Sequence, residues 1–148
     1  MSFATLQPQL KTLLETITEF QEVSEFPKIK YSGYPAVCVF PSDNTSDYET
    51  TTENLRIYAF YLVIFYETKE SGVPSAMQAL RGLVDSVLDK FDQEDQKGSG
   101  TRVLGQSLPA GYTFLNILAH PAKWGMLPDE ELLTAEIAVK VRISRDIT

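Results

Sequence analysis

The chain has 148 residues and a mass of 16.6 kDa, and its 13 basic and 20 acidic residues give it a net charge of −7. This acidic balance argues against a protein that grips nucleic acid through phosphate contacts, because such proteins carry clustered lysines and arginines. Apolar residues make up 43% of the chain and charged residues 22%, which is typical of globular proteins and not of disordered tails. We therefore expect a single folded domain over residues 1–148.

Cysteine content and hydropathy indicate the compartment. Cys38 is the only cysteine in the sequence, so no internal disulfide and no cysteine-based zinc site can form. The first residues lack the basic start and apolar core of a signal peptide. The most apolar stretch, residues 57–66, is about half as long as a membrane-spanning helix. These features predict a soluble, reduced, cytoplasmic protein that does not contact a membrane.

Two segments have the apolar spacing of amphipathic helices. The first begins at Pro8, since proline suits a first helical turn, and ends before Phe26. The second opens with a capping box at residues 75–78, in which a serine and a glutamine satisfy free backbone donors. It ends before a flexible loop at residues 93–101.

Four segments are predicted to be strands because they are rich in β-branched and aromatic residues or alternate between apolar and polar positions. They are residues 36–40, 53–66, 112–119 and 133–144. The polar residues 42–52 are expected to be a hairpin tip, and residues 124–131 a turn. The predicted fold is a two-layer α+β domain with the order α-β-β-α-β-β. A four-stranded antiparallel sheet with a long β-hairpin would carry both helices on one face.

The segment 53–66 is too long and too apolar for a simple hairpin strand. Residues 55–66 alone span about 40 Å, far more than residues 36–40, so part of the segment must pair with the fourth strand or with another chain. Both of its faces are apolar, so either a neighbouring subunit or the second helix with a long loop must cover the face that the helices leave free. We expect the aromatic-rich even face to be the subunit interface and the odd face to pack on helices. The even face comprises Arg56, Tyr58, Phe60, Leu62, Ile64 and Tyr66.

Motifs for catalysis or ligand binding are incomplete. The glycine-rich residues 98–105 lack the third glycine of a dinucleotide loop and the lysine of a phosphate-binding loop, and residues 92–103 lack the glycine and glutamate of a calcium loop. His120 has no recognisable nucleophile or acid partner, and Cys38 lies between two valines of a strand. We expect no catalytic residue, no metal site and no cofactor.

Three stretches carry a resemblance to a known family. They are Tyr34–Val37, Asn54–Ile64 and Ala135–Ile143. Together with the chain length, the element order and a polar hairpin tip, they resemble the tail terminator and tail completion proteins of tailed bacteriophages. The resemblance implies a subunit of a hexameric ring at the head-proximal end of the tail tube, without catalytic residues. Its partners would be copies of itself, the tail tube protein and a head-completion or connector protein. It would be made in the host cytoplasm and reside in the neck of the virion, and DNA would pass through the ring without specific binding.

The polar hairpin tip is the candidate channel or docking loop of such a ring. It contains Asp43, Asn44, Asp47 and Glu49. If its acids face the channel, they would repel the phosphates of passing DNA. The alternative is that these acids are simply a solvated loop.

Two other functions remain open on the sequence alone. One is a head-closure or adaptor subunit of the same virion neck, which would also be a ring-forming α+β protein. The other is a dimeric α+β regulatory module that binds a small molecule, with Tyr112, Asn116 and His120 on one strand face as the candidate polar groups.

Overall fold

The computed structural model describes residues 3–28, 30–48, 53–69, 72–97 and 110–146. These residues form two α-helices and five strands. In chain order they are α1 Phe3–Glu15, β1 Glu22–Ser24, β2 Ala36–Tyr48, β3 Glu53–Glu67, α2 Gly72–Gln96, β4 Tyr112–Leu127 and β5 Leu132–Asp146. A one-turn 3-10 helix, Pro128–Glu130, connects β4 to β5.

The strands form one mixed sheet in the order β1-β2-β3-β5-β4. β1 runs parallel to β2, and the other neighbouring pairs are antiparallel. The protein is α+β, but the expected four-stranded antiparallel sheet and the order α-β-β-α-β-β were wrong. β1 adds a fifth strand and the parallel pair. With only three residues, it is too short to show the alternation by which strands are recognised in a sequence.

β3 is paired along its whole length on the side of β5. Glu53 lies opposite Asp146 at one end of this ladder, and Glu67 lies opposite Leu132 at the other. Its other side pairs with β2. The long strand was expected to pair either with the last strand of the same chain or with another chain. It pairs with the last strand, β5.

β2 does not end at Pro41, as expected, but continues to Tyr48. The register with β3 shifts between Pro41 and Asn44, which marks a bulge. β1 pairs with β2 only as far as Cys38, so Pro41 has a free side and its missing N–H interrupts no ladder there. Much of the expected polar loop is therefore strand.

β4 is also longer than expected, because it pairs with β5 from Tyr112 to Leu127. Pro121 sits at a second register shift on this edge strand, where a residue without an N–H is tolerated. The expected turn at residues 124–131 is shorter than predicted and consists of the 3-10 helix and Glu131. Glu131 has a positive φ of 55°, which allows the chain to turn from β4 into β5.

α2 extends beyond its expected bounds at both ends, whereas α1 begins earlier than expected but ends well before Phe26, because β1 occupies residues that were expected to be helical. α1 begins at Phe3, with the exposed Pro8 inside it, and ends at Glu15. The N–H groups of Thr16 and Ile17 then bond to carbonyls three residues earlier, which tightens the last turn. α2 has 25 residues, and no helix among the described residues is long and apolar enough to cross a membrane.

α1 and α2 pack on the same face of the sheet, which we call the covered face. The buried side chains of this core come from both helices and four strands. The sheet contributes Val37, Val39, Tyr58, Phe60, Leu62, Ile64, Ile117, Leu133, Ala135, Ile137, Val139, Val141 and Ile143. The residues that alternate with these along the strands point away from the helices and form the open face.

Candidate functional site

The open face combines an apolar half with a charged half. Strand alternation and register assign its residues. β2 and β3 contribute Ala36, Cys38, Phe40, Ile57, Ala59, Tyr61, Val63 and Phe65, and β5 and β4 contribute Thr134, Glu136, Ala138, Lys140, Arg142, Asn116, Leu118, His120, Lys123 and Gly125.

One end of the open face is covered by residues 30–35, which precede β2. Tyr31 packs there on Ala36 and Cys38, and its ring centroid lies 5.1 Å from that of Phe65. Among the described residues, no helix packs on this face. Tyr61 keeps 38% of its surface exposed there. The open face is thus an apolar surface that the described part of the chain covers only at one end.

The charges of the open face are unevenly distributed. Lys140 is exposed, and its neighbours across the two adjoining strands are Ala59 and Leu118. Lys123, by contrast, lies opposite Glu136. The end of the face near Lys140 is therefore cationic, whereas the charges near Lys123 offset each other.

The structure reverses the expected roles of the two faces of β3. Tyr58, Phe60, Leu62 and Ile64, which were expected at a subunit interface, lie in the core beneath the helices. The odd residues, which were expected to pack on helices, belong to the open face. The register with β5 decides this, since Phe60 stands opposite Val139 on the buried row of β5.

The two remaining residues of the expected interface are partly buried. The Nη1 atom of Arg56 donates a hydrogen bond to the hydroxyl of Tyr58 at 3.4 Å. Tyr66 lines a groove of 510 Å³ on the helical side of the sheet. The other residues of this groove are Glu19, Pro35, Ala79, Gly82, Leu83 and Ser86.

The expected channel loop lies only partly within the described residues. Asn44 and Asp47 belong to the distal part of β2 and pair with the first half of β3, and Asp43 lies at the register shift between Pro41 and Asn44. Glu49 lies outside the described residues. The described positions lie at the far end of the β2–β3 hairpin.

The three polar residues of the small-molecule hypothesis do not share a face. A register shift between Phe114 and Asn116 places Tyr112 on the covered side, where it packs against the core. Asn116 and His120 follow the bulge and belong to the open face. None of the three lines the 510 Å³ groove.

The buried thiol of Cys38 is not part of a reactive site. Burial raises the pKa of the Cys38 thiol, and the adjacent Tyr31 hydroxyl opposes this shift in part. Burial also raises the pKa of Tyr31, to about 12. Both groups are therefore protonated at neutral pH, and the Cys38 thiol is not an activated nucleophile. Within the described ranges, no cluster of His, Cys, Asp or Glu could hold a metal ion.

The sequence analysis predicted only the first half of the edge strand β4 and missed the exposed apolar surface that this strand carries. Five of the eight large apolar side chains that the described residues expose lie on it. They are Leu115, Leu118, Trp124, Met126 and Leu127. Residues 124–131 were expected to be a turn, so Trp124, Met126 and Leu127 were not recognised as part of a strand. Proline is tolerated on edge strands, so Pro121 was the one signal of an edge strand that the sequence offered.

Comparison with protein-family models and with curated proteins gives no match.

Proposed function

We propose that this chain is a structural virion protein, a tail terminator that forms a ring, hexameric as in the family it resembles, at the head-proximal end of a phage tail tube. The observation that carries the proposal is the open face, where apolar side chains of β2 and β3 lie with no helix of the described residues above them. Exposed apolar surface of this kind on a small protein marks a contact with another protein. A closed ring supplies that contact to every copy.

The location of the resembling stretches supports the same proposal. Asn54–Ile64 and Ala135–Ile143 lie on β3 and β5, and Tyr34–Val37 leads into β2. These three strands are adjacent in the sheet. The residues that resemble the phage family thus form one continuous part of the molecule that includes part of the open face.

In this proposal the ring contacts the tail tube protein on one side and a head-completion or connector protein on the other. DNA passes through its channel without specific binding, which suits a chain with a net charge of −7. The β2–β3 hairpin, with Asp43 and Asp47 on its distal part, faces the channel or a docking partner.

The test is a tube-elongation assay. Tail tube subunits encoded by the same genome are polymerised with and without the purified protein, and tube lengths are measured by negative-stain electron microscopy. We expect shorter tubes with a ring at one end. Unchanged tube lengths and bare ends would contradict a terminator. Binding to purified portal complexes and not to tube ends would assign the protein to head closure.

A further inference from the structure

The 510 Å³ groove on the helical side of the sheet lies between α2 and the turns that follow α1 and precede β2. α2 forms one wall of this groove with four residues that recur at helical spacing. They are Ala79, Gly82, Leu83 and Ser86. A Cβ atom at Gly82 would meet no atom within 4 Å, so this wall leaves open space beside it. The groove therefore has room for a large side chain from outside.

The lining of the groove suits an aromatic side chain with a cation beside it. Pro35, Tyr66 and Leu83 supply apolar surface. Glu19, which is exposed, is the one charged residue among the described residues that line the groove. An occupant with an apolar tip and a basic group next to it matches both features.

Phe26 is the most exposed large apolar side chain of the described residues, with 72% of its surface accessible. Its backbone is held in place, because the hydroxyl of the buried Ser24 donates to the carbonyl of Phe26 at 2.7 Å and accepts from its N–H at 3.1 Å. At the preceding residue, Nε2 of Gln7 donates to the carbonyl of Glu25 at 2.7 Å. Phe26 is thus an aromatic ring presented on a fixed backbone, and aromatic side chains of this kind anchor many protein contacts.

The groove of the same chain is out of reach of Phe26. The N–H of Gln21 donates to the carbonyl of Pro35 at 2.8 Å, so β1 begins beside the groove. β1 then runs parallel to β2 as far as Ser24. Its three extended residues carry the chain about 10 Å along the sheet before Phe26 is reached. The ring of Phe26 can therefore enter only the groove of another molecule.

Phe26 and the groove belong to different sides of the sheet. The chain after Phe26 turns onto the open face, where Nζ of Lys28 lies 6.0 Å from the ring centroid of Tyr31. The groove lies on the helical side. A contact between the two joins the open side of one copy to the helical side of the next. Such a contact between unlike surfaces generates a ring if the rotation closes.

Charge favours a second copy of this chain as the occupant. Lys28 follows Phe26 by two residues, and 47% of its side chain stays exposed although it pairs with Glu22. Its ammonium group has three N–H donors, so it can bond to a second carboxylate. Glu19 supplies that carboxylate at the groove. The segment around Phe26 thus offers the apolar tip and the adjacent cation that the groove matches.

We propose that the side chain of Phe26 in one copy inserts into the 510 Å³ groove of the next copy, with Lys28 beside Glu19. This inference rests on the proposed ring and names the anchor of its subunit contact.

The first experiment removes the aromatic ring. Phe26→Ala should raise the dissociation constant of assembly by about tenfold or more, because the contact loses the apolar area of its anchor. Light-scattering mass over a wide concentration range measures this constant, and the wild type should approach about 100 kDa, six copies of 16.6 kDa. Because the ring is exposed in the isolated chain, the variant should keep the circular dichroism spectrum of the folded protein.

The second experiment blocks the groove and then mixes the variants. Ala79→Trp places a large ring on the groove wall and should weaken assembly as Phe26→Ala does. In a mixture, the Phe26→Ala chain keeps an intact groove and the Ala79→Trp chain keeps an intact Phe26. Only one sound contact forms for each pair, so the mixture should stop at a heterodimer of about 33 kDa, twice 16.6 kDa. A head-to-tail contact predicts this arrest.

Matched controls make similar changes away from both surfaces. Met126→Ala shortens an exposed apolar side chain on β4, at the opposite edge of the sheet from β1. Gln96→Trp adds the same ring at the exposed end of α2, about 15 Å beyond Ser86. Both should assemble like the wild type. Ser86→Trp is the second groove-blocking variant if circular dichroism shows Ala79→Trp to be unfolded.

Three results would overturn the contact. They are a folded Phe26→Ala variant that assembles like the wild type, a mixture of the two folded variants that gives no heterodimer, and a wild-type chain that remains monomeric at about 1 mM, well above typical specific affinities. The tube assay is read separately. A confirmed contact without tube capping sinks only the terminator function, and capping by a ring of Phe26→Ala chains sinks only the present inference.

Discussion

The carboxylate of Asp95 accepts a hydrogen bond from the backbone N–H of Ile117 at 2.8 Å. This bond joins the last turn of α2 to the edge strand β4, two residues after the bulge at Leu115. Edge strands present unpaired N–H groups, which invite pairing with other chains. Asp95 satisfies one of them and ties the helix to the sheet.

Removing this acceptor should destabilise the protein. We expect Asp95→Ala to lower the free energy of unfolding by about 1–3 kcal/mol, as for a hydrogen bond to a charged group. Asp95→Asn keeps an oxygen acceptor and should cost less. Urea denaturation of both variants measures the difference. An alanine variant as stable as the wild type would show that the bond contributes nothing.

Two neighbouring residues of β3 test which face is covered. Leu62 is fully buried beneath the helices, whereas Tyr61 is 38% exposed on the open face. Leu62→Ala should destabilise the protein by about 2–5 kcal/mol, through lost burial and the cavity that remains. Tyr61→Ala should cost less than about 1.5 kcal/mol in the isolated chain. Equal costs in thermal or urea unfolding would contradict the face assignment.

Two glycines should respond to alanine in opposite directions. A Cβ atom at Gly125 would lie 2.7 Å from Oγ1 of Thr134, whereas one at Gly82 would meet no atom within 4 Å. Gly125→Ala should therefore cost about 1–3 kcal/mol. Gly82→Ala, inside α2, should add about 0.5–1 kcal/mol by restricting the unfolded chain.

A double-mutant cycle identifies the cause of the cost at Gly125. In a Thr134→Ala background the clashing hydroxyl is absent, so Gly125→Ala should lose most of its penalty. The four free energies of unfolding come from urea titrations. An unchanged penalty would mean that the backbone, and not Thr134, resists the substitution.

Glu22 should make stability depend on pH in the acid range. A hydrogen bond from Lys28, and then bonds from the N–H and hydroxyl of Ser32 at 2.7 and 2.8 Å, lower the pKa of Glu22 to about 2. Because the folded pKa lies below the ordinary 4.5, this stabilisation is present above pH 4.5 and is lost as the pH falls towards 2.

The measurement is the melting temperature from pH 6 to pH 2. Glu22→Gln should flatten the decline between pH 4.5 and pH 2, since the variant has no carboxylate to protonate there. Glu15→Gln, which removes an exposed carboxylate of α1, is the matched control. A Glu22→Gln profile that falls as steeply as the wild type would rule out this interaction as the source.

The sequence predicted the elements with strong periodicity best. β5 alternates apolar and polar residues throughout, and its predicted bounds of 133–144 differ from the observed ones by a residue or two. β3 was equally well bounded. The second half of β2 was missed because its polar residues and Pro41 resemble a loop, and only pairing with β3 makes them a strand.

The face of β3 that packs on the helices could not be predicted from β3 alone. Both of its faces are apolar, so composition favours neither, and aromatic content pointed to the wrong one. The decisive information is the register that sets Phe60 opposite Val139. A shift of one residue would exchange the faces, and register depends on distant parts of the chain.

The pairing of β3 with β5 also sets the order of events during synthesis. Every backbone pair between them joins residues on either side of α2 and β4. The central β3–β5 pairing therefore cannot form until residues 132–146 have left the ribosome. Until then, β3 can pair only with β2. Such non-local pairing slows folding, and it leaves one side of a strongly apolar strand unpaired while α2, β4 and β5 are being translated.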